Sequence, residues 1–390
     1  MSLGLYISVP FCRTKCTFCN FASDVFSRAA FQRYVDRVCS DIEHAAETAK
    51  QMGGHFERDV DTIYLGGGTP TVLDISHLKH LFVIISQNFD VVANAEITVE
   101  CAPGTLTPAT LESFKKIGVN RVSLGVQSFV DQEAHAVGRL HTRDVVLRDI
   151  ENLRKVGITN INVDLIAGLP HQTAESWEFS VSETIACGAP HASVYMLEVD
   201  EDSRLGRELI AGGTKYHAHF VPDEDLTADL YITVCARLDS AGIKQYEISN
   251  FAHEGVESRH NLKYWTCQPY LGFGVDAHSM LNASSSTAVR FATADSLETY
   301  IAGEAVVPIS ISAETALEEN FFLGLRLNQG VNLRELARKF REDQIANFAP
   351  IIAELVEINL LERGADVIRL TTRGRLLSNE VFQRFIALTV

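Results

Sequence analysis

"YISVPFCRTKCTFCNF", Tyr6 to Phe21, joins a short apolar run to a loop carrying Cys12, Cys16 and Cys19. "LYISV" predicts a strand, so three of the chain's eight cysteines follow directly on a strand end at C-x3-C-x2-C spacing. A structural zinc site needs four ligands, and no Cys or His occurs in the twelve residues after Cys19. An iron–sulfur cube accepts three thiolates and leaves one iron for an exchangeable ligand. The alternatives are a zinc site completed from afar by Cys39 or His44, or three unconnected buried cysteines.

Outward from this loop the chain alternates strands and helices. Phe31 to Lys50 has helical apolar spacing. "DTIYL" predicts a strand broken by Gly66-Gly67-Gly68-Thr69-Pro70. A helix over 76–88 and the strand "EITVEC" follow. "TPATLESFKKIG" predicts a helix with Thr107 as N-cap, Pro108 first inside and Gly118 just past its end. "RVSLGVQS", a helix over 143–156, "INVDLIAG", a helix over 173–187 and "HASVYMLEV" bring the count to six βα steps. The cysteines, the triple glycine, Glu100, Gln127 and Asp164 each fall at or just after a strand end. In a TIM-like barrel those points converge on one rim, whereas a doubly wound sheet gathers them mainly at one switch point. The expectation is an α/β fold with a partial TIM-like (β/α)6 barrel.

After residue 205 the rhythm changes. A helix is expected over 224–241, and "KQYEISNFA" as a strand leaving the barrel. A polar, aromatic stretch with Gly272 and Gly274 comes next, then a turn-rich loop over 282–288. Helices are expected over 313–327, 332–340 and 343–358, then a strand, a turn near Gly374 and a last helix. This reads as a smaller, mostly helical, winged-helix-like C-terminal domain. The expected division is 1–240 for the barrel, 241–312 for a barrel-closing, connecting segment and 313–390 for the C-terminal domain.

Composition narrows the partners. The 390 residues are 46% hydrophobic and carry a formal charge of −16, which argues against nucleic acid because phosphate binding needs a basic face. Residues 313–390 hold ten Lys and Arg against eleven Asp and Glu, so the winged-helix pattern reads as a lid or packing domain. No apolar run is long enough to span a membrane. Pro10 and Cys12 interrupt the N-terminal apolar run, and no basic segment precedes it, so a signal peptide is not expected. The expected location is cytoplasmic, where clustered thiols read as metal-binding.

Single residues add detail. Gly66, Gly67 and Gly68 let backbone approach a ligand, while Thr69-Pro70 replaces the helix start a dinucleotide site needs. Glu100 can accept from a cation or hydroxyl, Gln127 can donate and accept, and Arg139 can clamp a carboxylate. Asp164 lies in an otherwise apolar strand and needs a partner. Phe18 packs over the cysteine loop or into the core. "HNLKYW" puts His260 beside Asn261, Tyr264 and Trp265, an imidazole and two flat rings suited to a planar macrocycle.

The cysteine motif after the first strand of a βα array resembles the radical S-adenosylmethionine (SAM) superfamily. "YISVPFC", "GGGTPT", "GVQSF", "NVDLIAGLP" and "HNLKYW" together resemble the oxygen-independent coproporphyrinogen III oxidase family, and within it the HemW heme-chaperone branch, from Tyr6 to the end. The resemblance implies a [4Fe–4S] cluster on Cys12, Cys16 and Cys19, with SAM chelated at the open iron and cleaved by an electron from the cluster. It places Tyr6, Phe18, Gly66, Gly67, Gly68, Thr69, Glu100, Gln127, Arg139 and Asp164 around SAM, and implicates His260 in heme binding. His278 in "GVDAHSM" and Cys267 are rival heme ligands.

One departure matters. The oxidase has a fourth cysteine two positions after the third, and Phe21 stands there. The chain also begins five residues before Tyr6, without the oxidase's long N-terminal segment. Both argue against coproporphyrinogen III oxidase activity. The expected function is a heme chaperone handing heme to an acceptor protein, soluble or membrane-associated, with a separate electron donor to the cluster. The alternatives are the oxidase itself or another radical-SAM reaction on a tetrapyrrole.

Overall fold

The computed structural model describes residues 1–284 and 286–386. Six parallel strands form the first part of the chain: β1 (Leu3–Val9), β2 (Asp59–Gly67), β3 (Asp90–Cys101), β4 (Arg121–Gln127), β5 (Asn160–Ala167) and β6 (His191–Met196). They pair in chain order, each joined to the next through helix, as the alternating pattern requires. Among the described residues β6 does not return to β1, so the barrel is partial.

Strand alternation gives the sheet two different faces. Leu3, Leu5, Ile7 and Val9 of β1 are fully buried with Ile63, Leu65, Val99, Val122, Leu124, Val163 and Leu165 in the main core. Each such side chain contributes roughly 1.5–3 kcal/mol. The alternate positions are small or polar and lie side by side in rows: Gly4, Thr62 and Glu96; then Tyr6, Tyr64, Thr98 and Arg121; then Ser8 with Gly66, and Glu100 with Ser123, Asn162 and His191. The barrel is therefore polar inside, and its candidate site residues belong to these inward rows.

The helix expected over Phe31 to Lys50 is two, Ala29–Glu43 and Ala45–Met52, broken at His44. Thr107 caps Pro108–Lys116 by accepting from Thr110 N, and Thr173 opens Ala174–Ala186 with a capping box. A short helix, Asp131–Ala136, lies between the strand "RVSLGVQS" and the helix over 143–156, where no element was expected.

"KQYEISNFA" is not one strand. It splits into β7 (Lys244–Gln245) and β8 (Asn250–Ala252), antiparallel to each other, and β8 runs antiparallel to β6. Buried Glu247 at the turn accepts from Ser249 N at 3.0 Å and from the Asn250 amide. The polar aromatic stretch holds β9 (Tyr270–Gly274), which pairs parallel with the free edge of β1. β10 (His278–Asn282), β11 (Ala288–Ala292) and β12 (Ile309–Ile311) extend that side as antiparallel strands.

Past residue 312, helices Ala313–Gly324, Leu333–Lys339, Glu342–Ala346 and Ala349–Glu357 surround a second core of Leu317, Phe321, Leu325, Ile352, Leu355 and Phe385. The helix expected over 343–358 is thus two, the second with Pro350 in its first turn. A three-stranded sheet of β13 (Val331–Asn332), β14 (Leu361–Gly364) and β15 (Val367–Leu370) supplies the wing. Gly374 is not a turn. It sits in helix Thr372–Leu376, where a Cβ would strike the Leu360 carbonyl. This unit docks on the rest through the Arg290–Glu319 pair, Asn328 Nδ2 donating to Gln245 O at 2.7 Å, and Arg326 over the Trp265 ring at 4.2 Å. Among the described residues no helix is long and apolar enough to cross a membrane.

Candidate functional site: a three-cysteine loop on the barrel rim

The cysteine loop leaves β1 through Phe11, which is fully buried against Phe31, Tyr34 and Phe26. A reciprocal pair closes its neck: Cys12 N donates to Asp24 O and Asp24 N to Pro10 O, both at 3.0 Å. Outside the neck the loop is tied on three sides. Gly68 N and Thr69 N donate to Val9 O and Phe11 O, Thr17 N to Val137 O, and Leu205 N to Thr17 O. The three thiols thus hang from backbone that other strand ends hold in place.

All eight cysteines are free. Burial raises the Cys12 and Cys16 thiols, and the neighbouring cysteines add to the rise, while Arg139 draws Cys16 back down. Thiols that resist ionisation alone but stand together suit a polycation of iron, which supplies the missing charge. Cys39 is packed in the main core and His44 bonds Ser40 O, so neither completes a zinc site. Among the described residues no three His, Cys, Asp or Glu side chains are gathered as a single metal ion requires. A four-iron cube spreads its thiolates wider than one ion does, and the donor set of three sulfurs fits it. Thr69 Oγ1 and Ser23 Oγ lie 3.9 Å from the sulfurs of Cys12 and Cys19 respectively.

The glycines close on this loop. Gly67 has φ +93°, and a Cβ there would lie 3.0 Å from Ser8 Oγ. A Cβ on Gly68 would stand 2.7 Å from Phe11 O and 3.0 Å from Cys12 Sγ. Glu100 faces Gly66 and accepts from Tyr64 OH at 2.7 Å. Burial pushes its carboxyl up to about 7, against the Tyr64 hydrogen bond, the Gly67 N–H and Arg139, all of which favour the charged form. Asp164 is raised by burial and accepts from Ser123 Oγ at 3.0 Å and Asn162 Nδ2 at 2.7 Å. Gln127 has φ +69° at a register shift in β4, and Arg139 leans over Gly125 beside it. Arg139 Nε is buried without a partner, a donor left for a ligand. The rim therefore offers two carboxyls, one guanidinium, one amide and bare backbone around the thiols, a donor set that fits the ammonium, carboxylate and ribose of SAM. Phe18 is partly buried and packs on the small cluster of Val137, Ile166 and Leu169.

Tyr64, Ser123, Asn162 and Ser23 were not among the candidates, though Tyr64, Ser123 and Asn162 support the ones that were. Their signal was the inward alternation of polar residues with Ile63, Leu65, Val122 and Val163.

His260 lies inside the barrel. "HNLKYW" is a helix, Arg259–Trp265, whose first N–H groups sit on Glu96: those of Arg259 and His260 donate to its two oxygens at 3.0 Å each. His260 is 1% exposed, and both ring nitrogens are engaged, with Thr62 Oγ1 at 2.9 Å and Tyr264 OH at 2.8 Å. The ring stacks on Tyr64 at 5.3 Å. It plugs the barrel and presents no free nitrogen to a ligand. Of its neighbours, Tyr264 lines a cleft and Trp265 lies under Arg326.

Burial holds the His260 imidazole down at about 3, from an ordinary 6.5. Between those values the unfolded chain takes up a proton that the folded one refuses, so this group's contribution to stability falls as pH drops. Urea unfolding of His260→Ala should therefore show a lower midpoint at pH 7 and a shallower loss between pH 6.5 and 4 than wild type. Equal pH slopes would place the ring elsewhere.

A cleft of about 270 Å³ opens beside the thiol loop, lined by Tyr6, Phe21, Gly68, Tyr264, Tyr270 and His278 among others. Phe21 is 62% exposed on its wall.

Comparison with known proteins agrees with this geometry. Residues 6–182 match the family model of the radical SAM superfamily, and residues 311–377 that of the HemN C-terminal domain. A solved structure of coproporphyrinogen III oxidase (HemN) from Escherichia coli, titled a radical SAM enzyme, superimposes with a TM-score of 0.83 at 24% identity, covering 98% of this chain and 90% of that one. That likeness carries the fold. The heme chaperone HemW of Bacillus subtilis (strain 168) is 33% identical, over 98% of both chains. That of Lactococcus lactis subsp. lactis (strain IL1403) is 31% identical, over 98% of this chain and 96% of its own. With alignments at that identity covering 98% of the chain, the chain belongs to the HemW family of the radical SAM superfamily.

Proposed function

We propose that the protein is a cytoplasmic heme chaperone: it binds heme beside a radical-SAM site and passes it to an acceptor protein. The observation that carries this reading is the end-to-end identity with proteins named heme chaperones. Cys12, Cys16 and Cys19 hold the [4Fe–4S] cluster, which when bound supplies electrons from a separate donor. Gly66, Gly67, Gly68 and Thr69 offer backbone and hydroxyl to SAM's methionyl end. Glu100, Gln127, Arg139 and Asp164 hold its polar groups, and Tyr6 flanks them.

The competing reading is oxygen-independent coproporphyrinogen III oxidase. Phe21 speaks against it, because an exposed ring occupies the place of the thiol that the oxidase carries after its third cluster cysteine. The test is anaerobic: reconstituted protein with SAM and reductant, given either heme or coproporphyrinogen III. Saturable heme uptake with a Soret band and no sustained decarboxylation is the expected result. Sustained turnover of coproporphyrinogen III to protoporphyrinogen IX would establish the oxidase instead.

A further inference from the structure

A buried cation normally stands beside a carboxylate, because taking an unpaired charge out of water is costly. Three partly or fully buried cations of this chain obey that rule. Lys263 Nζ lies 2.7 Å from Asp61 Oδ1, Arg326 lies 3.5 Å from Glu247, and Arg290 pairs with Glu319 through two nitrogens. Arg121 breaks it. It is 1% exposed, inside the barrel at the start of β4, and among the described residues no carboxylate comes within ion-pair distance of its guanidinium.

The carboxylates that share the barrel interior are committed elsewhere. Glu96 accepts from Arg259 N and His260 N, Glu100 from Tyr64 OH, and Asp164 from Ser123 Oγ and Asn162 Nδ2. The imidazoles of His191 and His260 are kept neutral by burial first, and by nearby cations of which Arg121 is one. His191 Nδ1 donates to Asn162 Oδ1, whose Nδ2 is spent on Ser123 and Ser193, so His191 Nε2 accepts from Tyr246 OH. Arg121 stands in one inward row between Thr98 and Asn160, on strands about 5 Å apart. Thr98 Oγ1, Arg121 Nε and Asn160 Oδ1 are all buried without a hydrogen-bond partner. The row therefore holds a surplus of donors, guanidinium N–H groups and the Thr98 hydroxyl, against one open acceptor. A water there accepts from two donors but must place two protons of its own. A small anion accepts from every side and cancels the charge as well.

We propose that Arg121 and Thr98 hold a small monovalent inorganic anion, chloride in kind, inside the barrel beneath the SAM rim. The site lies one row below Glu100 and Ser123 and two below Asp164. Turning the Asn160 amide end for end presents Nδ2 in place of Oδ1, which adds another donor. Neither heme nor SAM enters the site, so it stands whether or not the chaperone reading does. The three groups come from three different strands, β3, β4 and β5, and meet only in the folded chain. An anion held there binds the native state alone and stabilises it according to its occupancy.

The test has two arms. Crystals grown in sodium bromide, with diffraction recorded on both sides of the bromine absorption edge, should show bromide beside Arg121; the signal of iron does not change across that edge. In solution, the reconstituted protein is melted anaerobically, followed by circular dichroism, as chloride replaces gluconate at constant ionic strength. Gluconate is too large for the site. The wild-type melting temperature should rise by several degrees and saturate. Thr98→Val keeps the guanidinium and removes one donor, so it should need several-fold more chloride to reach the same midpoint. Arg121→Met should show no chloride dependence, and Arg363→Met, on the exposed wing, the wild-type response. Should Arg121→Met fail to fold, the bromide crystals and Thr98→Val carry the test. Water alone beside Arg121 in the bromide crystals overturns the proposal, as does a chloride response that Arg121→Met retains. An unchanged midpoint in Thr98→Val overturns the part given to Thr98.

Discussion

Replacing Cys12, Cys16 and Cys19 together with serine should abolish iron binding and the brown absorbance of the reconstituted protein, and each single replacement should remove most of both. The effect is large because serine's hydroxyl remains protonated and is too hard a donor for a sulfide-bridged iron cluster. The fold should survive, since the loop is held by backbone bonds from Asp24, Val9, Phe11 and Val137 and not by the sulfurs. The other five cysteines should be dispensable for the cluster. Cys39 and Cys101 are core residues, and Cys187 and Cys235 pack on that core and are raised by burial. Cys267 faces the C-terminal unit, whose Lys339 and Glu319 act on it. Iron and sulfide assays with circular dichroism read this out. A triple variant that assembles a full cluster would refute the ligand set.

The second large effect is expected from Gly67→Val. At φ +93° a residue with a Cβ costs on the order of 1–3 kcal/mol, and a branched one fares worst. Its methyls would point among Ser8, Val9 and the cleft, where backbone meets ligand. Iron content should stay near wild type, because Gly67 touches no sulfur. Adding SAM should then leave the electron paramagnetic resonance spectrum of the reduced cluster unchanged, whereas in wild type it perturbs it. Gly67→Ala should fall between. A wild-type response in the valine variant would remove these glycines from the SAM site.

Much of this arrangement was legible in the residues. The βα rhythm came through because apolar positions recur along each strand, and glycines such as Gly118 and Gly157, with φ +80° and +91°, mark helix ends. The rim followed from that rhythm, since parallel strands put their ends on one side. What was not legible depends on distance along the chain. The role of His260 is decided by Thr62 and Glu96, on strands that nothing in "HNLKYW" names. Residue type suggested a ligand; burial made it a plug. β9 escaped notice because "YLGFG" is short and glycine-interrupted, and its partner is the first strand. Pro350 did carry a signal: proline in a first turn starts a helix, and it divides 343–358 as observed.

The placement of β1 has a consequence for how the chain is made. This strand leaves the ribosome ahead of both its neighbours, yet it lies between them, with β2 on one edge and β9 on the other. One of its edges is covered as soon as Asp59–Gly67 is synthesised; the other must wait for Tyr270. Throughout that interval the nascent protein displays an unpaired strand edge, the kind of surface that recruits other chains. A truncation ending before Tyr270 would keep that edge open for good. Every thiol and rim residue would be present in it, yet it should precipitate, while the full chain should remain in solution.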